Sequence, residues 1–102
     1  MVTWHNESTD RLVEVLSQIS TAEDCYRFLE DLCTIKEIMD MSQRLEVATL
    51  LSQGTNYQVI NHKTGVSTAT ISRVNKCLSY GSGGYQAALK LLGDWEQKNE
   101  VK

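Results

Sequence analysis

Residues 57–77 carry the sequence YQVINHKTGVSTATISRVNKC, which has the pattern of two short helices joined by a tight turn. The turn needs a residue that tolerates a left-handed backbone, and Gly65 supplies it. The next residue, Val66, is placed to fill the angle between the two helices. On the second helix, Ile71 and Val74 share one face, which predicts the buried side. The segment therefore predicts a helix–turn–helix.

Both helices of this pair have a cap residue in the sequence. Asn56 precedes the first helix and Ser67 precedes the second. Side-chain oxygens of Asn and Ser accept hydrogen bonds from the free backbone N–H groups at a helix start. Asn61 departs from the usual motif, in which a small Ala is common, so we expect slightly different packing there.

The helix pair lies in a long segment, residues 47–93, that contains no Asp or Glu. Four basic residues lie in it: Lys63, Arg73, Lys76 and Lys90. Residues 1–46, in contrast, hold ten acids and four bases, and the whole chain carries a formal charge of −3. This weakly acidic protein has therefore kept one region that can approach a polyanion.

The remainder of the chain also has helical patterning. It contains no proline, and several stretches place apolar residues at helical spacing, which favours an all-α fold. Residues 7–19 predict an amphipathic helix, and the pairs Ser20–Glu23 and Thr34–Glu37 have capping-box spacing at the next two helices. A last helix is expected over residues 86–98. At this length we expect a single helical domain, residues 1–102.

The long third helix carries an arc of apolar side chains that is too broad for one neighbouring helix to cover. Its members are Ile38, Met41, Leu45, Val47, Ala48, Leu50 and Leu51. On the last helix, Leu89, Leu92 and Trp95 are expected to face inward. A chain of this size buries only about 60–65% of its unfolded surface, so a subunit partner would help. Helices of the same chain could cover the arc, but an interlocked homodimer covers it more easily.

Other residues give no sign of a metal site, a cofactor or catalysis. Cys25, Cys33 and Cys77 form an odd set without a CxxC pair, so we expect reduced, mostly buried thiols. No nucleophile, base and orienting group converge in the pattern, so we do not expect an enzyme. No apolar run reaches the ~18 residues of a membrane span, and nothing resembles a signal peptide. We therefore expect a cytoplasmic protein.

The solvent-facing side of the second helix of the pair suits the major groove of DNA. Small hydroxyl and methyl side chains let a helix enter a groove about 12 Å wide, where they reach base edges and thymine methyl groups. Neighbouring basic side chains contact phosphates, which position the protein without reading sequence. The predicted DNA-binding residues are Lys63, Ser67, Thr68, Ala69, Ser72, Arg73 and Lys76.

Three segments of the chain are similar to a known family. They are QRLEVATLL (43–51), TGVSTATISRVNKCL (64–78) and YGSGGY (80–85). They resemble the Trp repressor superfamily, and more closely its TrpR-like YerC/YecD group. The resemblance implies a six-helix chain and an intertwined homodimer built mainly from the helices outside the helix–turn–helix. It also implies two recognition helices aimed at successive major grooves, about 34 Å apart.

The same resemblance implies an effector site. In the Trp repressor two arginines and a threonine line the tryptophan site, and they align with Arg73, Arg44 and Thr34. Such arginines suit a carboxylate. Val74 stands where the repressor has Gly, and its side chain would occupy the space of the indole ring, so any effector is expected to differ from tryptophan. Arg44 has a second interpretation, an i,i+4 ion pair with Asp40.

Two functions of different classes follow from these patterns. The first is a homodimeric transcriptional regulator, expected to be a repressor, that binds double-stranded DNA through residues 57–77. The alternative is a helical protein–protein interaction module that does not bind DNA, which the acidic residues 1–46 and the net charge of −3 favour. Retention of genomic DNA fragments at low salt distinguishes the two.

Overall fold

The computed structural model describes residues 3–99, and those residues form six α-helices without a strand. The helices in chain order are α1 (Glu7–Gln18), α2 (Ala22–Leu32), α3 (Ile35–Ser52), α4 (Tyr57–Thr64), α5 (Thr68–Tyr80) and α6 (Gly84–Asn99). This architecture confirms the all-α, six-helix prediction. The two ends of the predicted domain, residues 1–2 and 100–102, lie outside the described residues.

The chain divides into two compact units, of which the first ends at Ile38 and the second begins at Met39. The first unit contains α1, α2 and the start of α3. The second contains the remainder of α3 together with α4, α5 and α6. The single domain over residues 1–102 stays a prediction.

Local capping explains where the two helices of the first unit begin. Asn6 and Thr9 form a capping box at α1, in which each backbone N–H donates to the other side chain across 2.9 Å. At α2 the N-cap is Thr21, whose hydroxyl accepts a hydrogen bond from the Asp24 N–H at 3.1 Å. The capping box predicted to begin at Ser20 is therefore wrong, because the backbone enters the helix only after Thr21.

The third helix begins with the capping box that the sequence predicts. The Glu37 N–H donates to Thr34 Oγ1 across 3.1 Å, and the Thr34 N–H donates to Glu37 Oε1 across 2.8 Å. The pair satisfies two backbone donors that a helix start leaves without an intrahelical partner. Both predicted cap residues of α3 are thus confirmed.

The core of the second unit joins α3, α4 and α5. Five apolar side chains are buried: Val47 and Ala48 from α3, Ile60 from α4, and Ile71 and Val74 from α5. Partly buried residues pack against them: Leu50, Leu51, Tyr57, Val66, Leu78, Tyr85 and Leu89. Full burial of a Val or Ile side chain contributes about 1.5–3 kcal/mol. The inward positions predicted for Ile60, Ile71 and Val74 are confirmed, and Val66 packs against them between the helices. Val59 of α4 was also expected to face inward, and this is wrong, because its side chain is 41% exposed.

Three helices bury no residue in this chain: α1, α2 and α6. Trp95 is 59% exposed, so the prediction that it faces inward is wrong for the single chain. Cys25 and Cys77 are exposed and Cys33 is half-buried, so the prediction of mostly buried thiols is wrong too. Helical spacing identifies which face is apolar, whereas burial of that face depends on what packs against it.

Candidate nucleic-acid interface

The first helix of the candidate interface, α4, is capped at both ends. Asn56 Oδ1 accepts a hydrogen bond from the Val59 N–H at 2.9 Å, which fixes the start of the helix. Gly65 ends it in a left-handed conformation with φ of 74°, and its N–H donates to the Asn61 carbonyl across 2.8 Å. This backbone conformation is energetically unfavourable for a residue with a Cβ, whereas Gly adopts it readily. The predicted Asn cap and Gly turn are therefore confirmed.

Two side chains of α4 bridge the turn, and the sequence analysis had assigned neither of them this role. Asn61 Nδ2 donates to the Val66 carbonyl oxygen across 2.7 Å. Thr64 Oγ1 donates to the Ile60 carbonyl across 2.7 Å and accepts from the Val66 N–H at 3.1 Å. Both backbone groups of Val66 are thus held by α4 side chains. The sequence signal for this bridge was Asn61, an amide side chain at a position where the motif usually has Ala.

The second helix, α5, starts directly after this bridged turn. Ser67 Oγ accepts a hydrogen bond from the Thr70 N–H at 3.2 Å and donates to Thr70 Oγ1 across 3.1 Å. Its N-cap role is therefore confirmed, although its hydroxyl is already engaged within the chain. The cap and the packing of the partly buried Val66 against the core set the direction in which the helix leaves the turn.

All seven residues predicted to bind DNA are exposed, and they come from α4, the N-cap of α5 and α5 itself. They are Lys63, Ser67, Thr68, Ala69, Ser72, Arg73 and Lys76. On the other side of α5, Ile71 and Val74 are buried in the core of the second unit. The helix thus has an anchored apolar side and a solvent side that carries only small, hydroxyl or basic side chains at these positions.

The positive charges of this surface are not neutralised by ion pairs with neighbouring carboxylates. Within residues 3–99, neither Lys63, Arg73 nor Lys76 forms an ion pair. By contrast, Arg11 and Arg27 of the first unit pair with carboxylates of their own helices. The guanidinium and ammonium groups of the surface therefore keep their full donor capacity for an anionic partner.

Of the three residues that the resemblance assigns to an effector site, only Arg44 is among those that line the cavity next to the turn. Arg44 lines a cavity of about 230 Å³ whose other walls are Asp40, Gln43, Val66, Ser67 and Thr70. Arg73 is exposed on α5 and does not line this cavity. Thr34 belongs to the other unit, where its hydroxyl caps α3. Val74 is only 2% exposed and packs in the core of the second unit.

Two further observations concern metal binding and membrane-spanning helices. Within the described residues, no three His, Cys, Asp or Glu side chains are placed to hold a metal ion together. No helix in that part of the chain has the length and apolar character needed to cross a membrane.

Comparisons with known proteins agree with this geometry. The sequence model of the Trp repressor protein family matches residues 7–92. The uncharacterized protein YerC of Bacillus subtilis is 46% identical over 93 residues, covering 91% of this chain and 89% of YerC.

Two crystal structures share the fold with a TM-score of 0.81 each. One is a candidate Trp repressor from Staphylococcus aureus, 39% identical, covering 87% of this chain and 89% of that chain. The other is a TrpR-like protein from Eubacterium eligens, 43% identical, covering 86% of this chain and 91% of that one. The chain therefore belongs to the Trp repressor family, a family of DNA-binding regulators, and is a homologue of YerC.

Proposed function

We propose that this chain is a sequence-specific transcriptional repressor of the cytoplasm that binds double-stranded DNA as a homodimer through α4 and α5. The observation that carries the proposal is the solvent side of α5. It presents small and basic side chains without an acid, and it starts from a turn that hydrogen bonds hold in place. A rigid, slim, carboxylate-free helix is what entry into a major groove requires.

The proposed division of labour follows the position of each residue. Thr68, Ala69 and Ser72, in the first turns of α5, are placed to contact base edges and thymine methyl groups. Lys63 in the last turn of α4 and Lys76 farther along α5 are placed to contact phosphates on either side. Arg73 lies between these groups and can reach either a guanine edge or a phosphate. We propose a phosphate-anchored helix that reads a short base sequence.

A homodimer is the second part of the proposal. It is supported by apolar side chains that the single chain leaves exposed on α1, α3 and α6. They include Leu16, Ile35, Met39, Leu91 and Trp95. A partner chain that covers these side chains provides the burial that α1, α2 and α6 lack alone. Two α5 helices related by a two-fold axis would then address half-sites about 34 Å apart.

The third part concerns an effector. The cavity of about 230 Å³ beside Arg44 adjoins Val66, Ser67 and Thr70, which form the turn and the start of α5. A small carboxylate ligand held by Arg44 at this place would bias the orientation of the recognition helix. We propose an effector other than tryptophan, because by the resemblance Val74 stands where the Trp repressor has Gly, and its larger side chain would occupy the space of an indole ring. Thr34 and Arg73 stay candidate contributors by resemblance.

Fluorescence anisotropy with labelled genomic fragments and a mass measurement in solution test the proposal together. The particle should have twice the 11.5 kDa of one chain, and one fragment should bind more tightly than the others. Arg73→Ala and Lys76→Ala should each weaken that binding, while Lys90→Ala, which removes a base outside the interface, should not. Equal binding by all three variants contradicts the interface. Complete absence of binding at low salt favours the interaction module instead.

A further inference from the structure

The last residue of α5, Tyr80, is an aromatic side chain held in open solvent. Its exposed fraction is 85%, the largest among the big apolar side chains of residues 3–99. An exposed aromatic ring forgoes the hydrophobic stabilisation that it would gain by burial. The ring and hydroxyl of Tyr80 are therefore free to contact a partner outside the chain.

Tyr80 lies on the same side of α5 as the residues proposed to contact DNA. Ala69, Arg73, Lys76 and Tyr80 follow one another by four, three and four residues, which is the spacing of one helical stripe. All four are exposed, whereas Ile71, on the other side, is buried. The recognition surface thus continues to the end of the helix.

The length of α5 places Tyr80 beyond the groove floor. At 1.5 Å per residue, Tyr80 lies about 16 Å along the helix axis from Ala69. The major groove is about 12 Å wide. With the first turns of α5 at the bases and the helix axis directed out of the groove, which is about 8.5 Å deep, the end of the helix would lie at the level of the sugar–phosphate backbone.

The position of Tyr80 is fixed by its neighbours on both sides. The Gly81 N–H donates to the Cys77 carbonyl across 2.8 Å and closes the helix. Gln86 Nε2 of α6 donates to the Leu78 carbonyl across 2.9 Å. At Gly81 a Cβ would collide with the Cys77 carbonyl oxygen, so the exit from the helix needs glycine. The ring therefore projects from a rigid last turn.

We propose that Tyr80 is a DNA-backbone contact: its hydroxyl donates a hydrogen bond to a phosphate oxygen, and its ring packs against the adjacent deoxyribose. Tyr is among the residues that donate to phosphates. This inference rests on the proposed function and adds a neutral contact to the basic ones. Because the phenol carries no charge, the contact neutralises no phosphate and releases no counterion.

Binding of Tyr80→Phe to the best DNA site and to a random duplex, measured over a series of salt concentrations, tests this role. Each dimer loses two hydrogen bonds with the hydroxyls, so both complexes should weaken by about five- to a hundredfold. The slope of the logarithm of the binding constant against the logarithm of salt should stay unchanged, since no cation is lost. Tyr26→Phe is the matched control, because Tyr26 is also 76% exposed but lies on α2. It should bind like the wild type.

Three results overturn the proposal for Tyr80 alone: wild-type affinity of Tyr80→Phe, an equal loss in Tyr26→Phe, or a loss confined to the specific site. The last result would indicate a base contact. Arg73→Ala is measured alongside, so that failure of the Tyr80 proposal can be told apart from failure of the whole DNA interface. If wild-type protein binds no duplex at all, or Arg73→Ala binds as well as wild type, the DNA interface and the Tyr80 contact are both wrong.

Discussion

The side-chain amide of Asn61 donates a hydrogen bond to the carbonyl oxygen of Val66 across 2.7 Å. This bond joins α4 to Val66, the residue between the C-cap of α4 and the N-cap of α5. Together with Thr64, which holds the Val66 N–H, it leaves the turn little freedom between α4 and α5. Orientation of the proposed recognition helix therefore depends on the α4 side chains and on the left-handed Gly65 between them.

The Asn61–Val66 bond is tested by Asn61→Asp, which keeps the shape but removes the donor. A carboxylate facing a carbonyl oxygen repels it, so the free energy of unfolding should fall by about 1–2 kcal/mol. Gln58→Glu is the control, because it adds the same charge to the first turn of α4, where an acid is favourable by about 0.3–1 kcal/mol. Urea unfolding of the two variants should move in opposite directions. An unfolding free energy of Asn61→Asp equal to that of the wild type would contradict a stabilising role for the bond.

Gly65→Ala tests the cost of the left-handed turn. A Cβ at Gly65 would meet no heavy atom within 4 Å, so the cost is conformational rather than steric. With φ at 74°, Ala should reduce the free energy of unfolding by about 1–2 kcal/mol.

Gly93→Ala is its control within the same unit. Gly93 lies inside α6 and is equally free of neighbours within 4 Å, but its φ is not positive. Here Ala should stabilise by about 0.5–1 kcal/mol. Thermal unfolding of both variants compares the two signs, and destabilisation by both would contradict the conformational explanation.

The salt dependence of DNA binding reports how many cations contact phosphates. Lys63, Arg73 and Lys76 from two chains give six, so the logarithm of the binding constant should fall with a slope of about −5 against the logarithm of salt. Lys63→Ala should make this slope shallower by about 2, since each dimer loses two contacts. Lys90→Ala removes the same charge from exposed α6 and should leave the slope unchanged. If Lys63→Ala and Lys90→Ala have the same salt slope, Lys63 lies outside the interface.

Ile35→Ala tests the homodimer. Ile35 is 81% exposed in the single chain, so truncation should cost little stability unless a second chain covers it. We expect a raised dimer dissociation constant in sedimentation equilibrium, by a factor of ten or more for the loss of about 1.5–3 kcal/mol of burial. Helical content measured by circular dichroism serves as the folding control. An unchanged dissociation constant removes Ile35 from the subunit interface.

Features that depend on neighbours along the chain were predictable from sequence. The Asn56 and Ser67 caps, the Gly65 turn and the inward Ile71 follow from backbone donors and helical spacing, which a few adjacent residues determine. Exposure of Arg73 follows from the same spacing, because it lies opposite the buried stripe.

Features that depend on three-dimensional packing were not predictable. Trp95 has inward helical spacing but remains exposed, because spacing does not say what covers a face. The cavity beside Arg44 excludes Arg73, a separation that alignment of single positions cannot give. The Asn61–Val66 bond needs a side-chain direction as well as a residue type, which sequence spacing does not give.

Selection of bound sequences from random duplex DNA, with wild type and Arg73→Ala in parallel, tests the proposed DNA recognition most directly. We expect the wild type to enrich one two-fold symmetric consensus with half-sites about 34 Å apart. Arg73→Ala should lose the enrichment or change bases at matching positions of both half-sites. Absence of any enriched sequence, or equal enrichment of the same consensus by both proteins, would contradict recognition through α5.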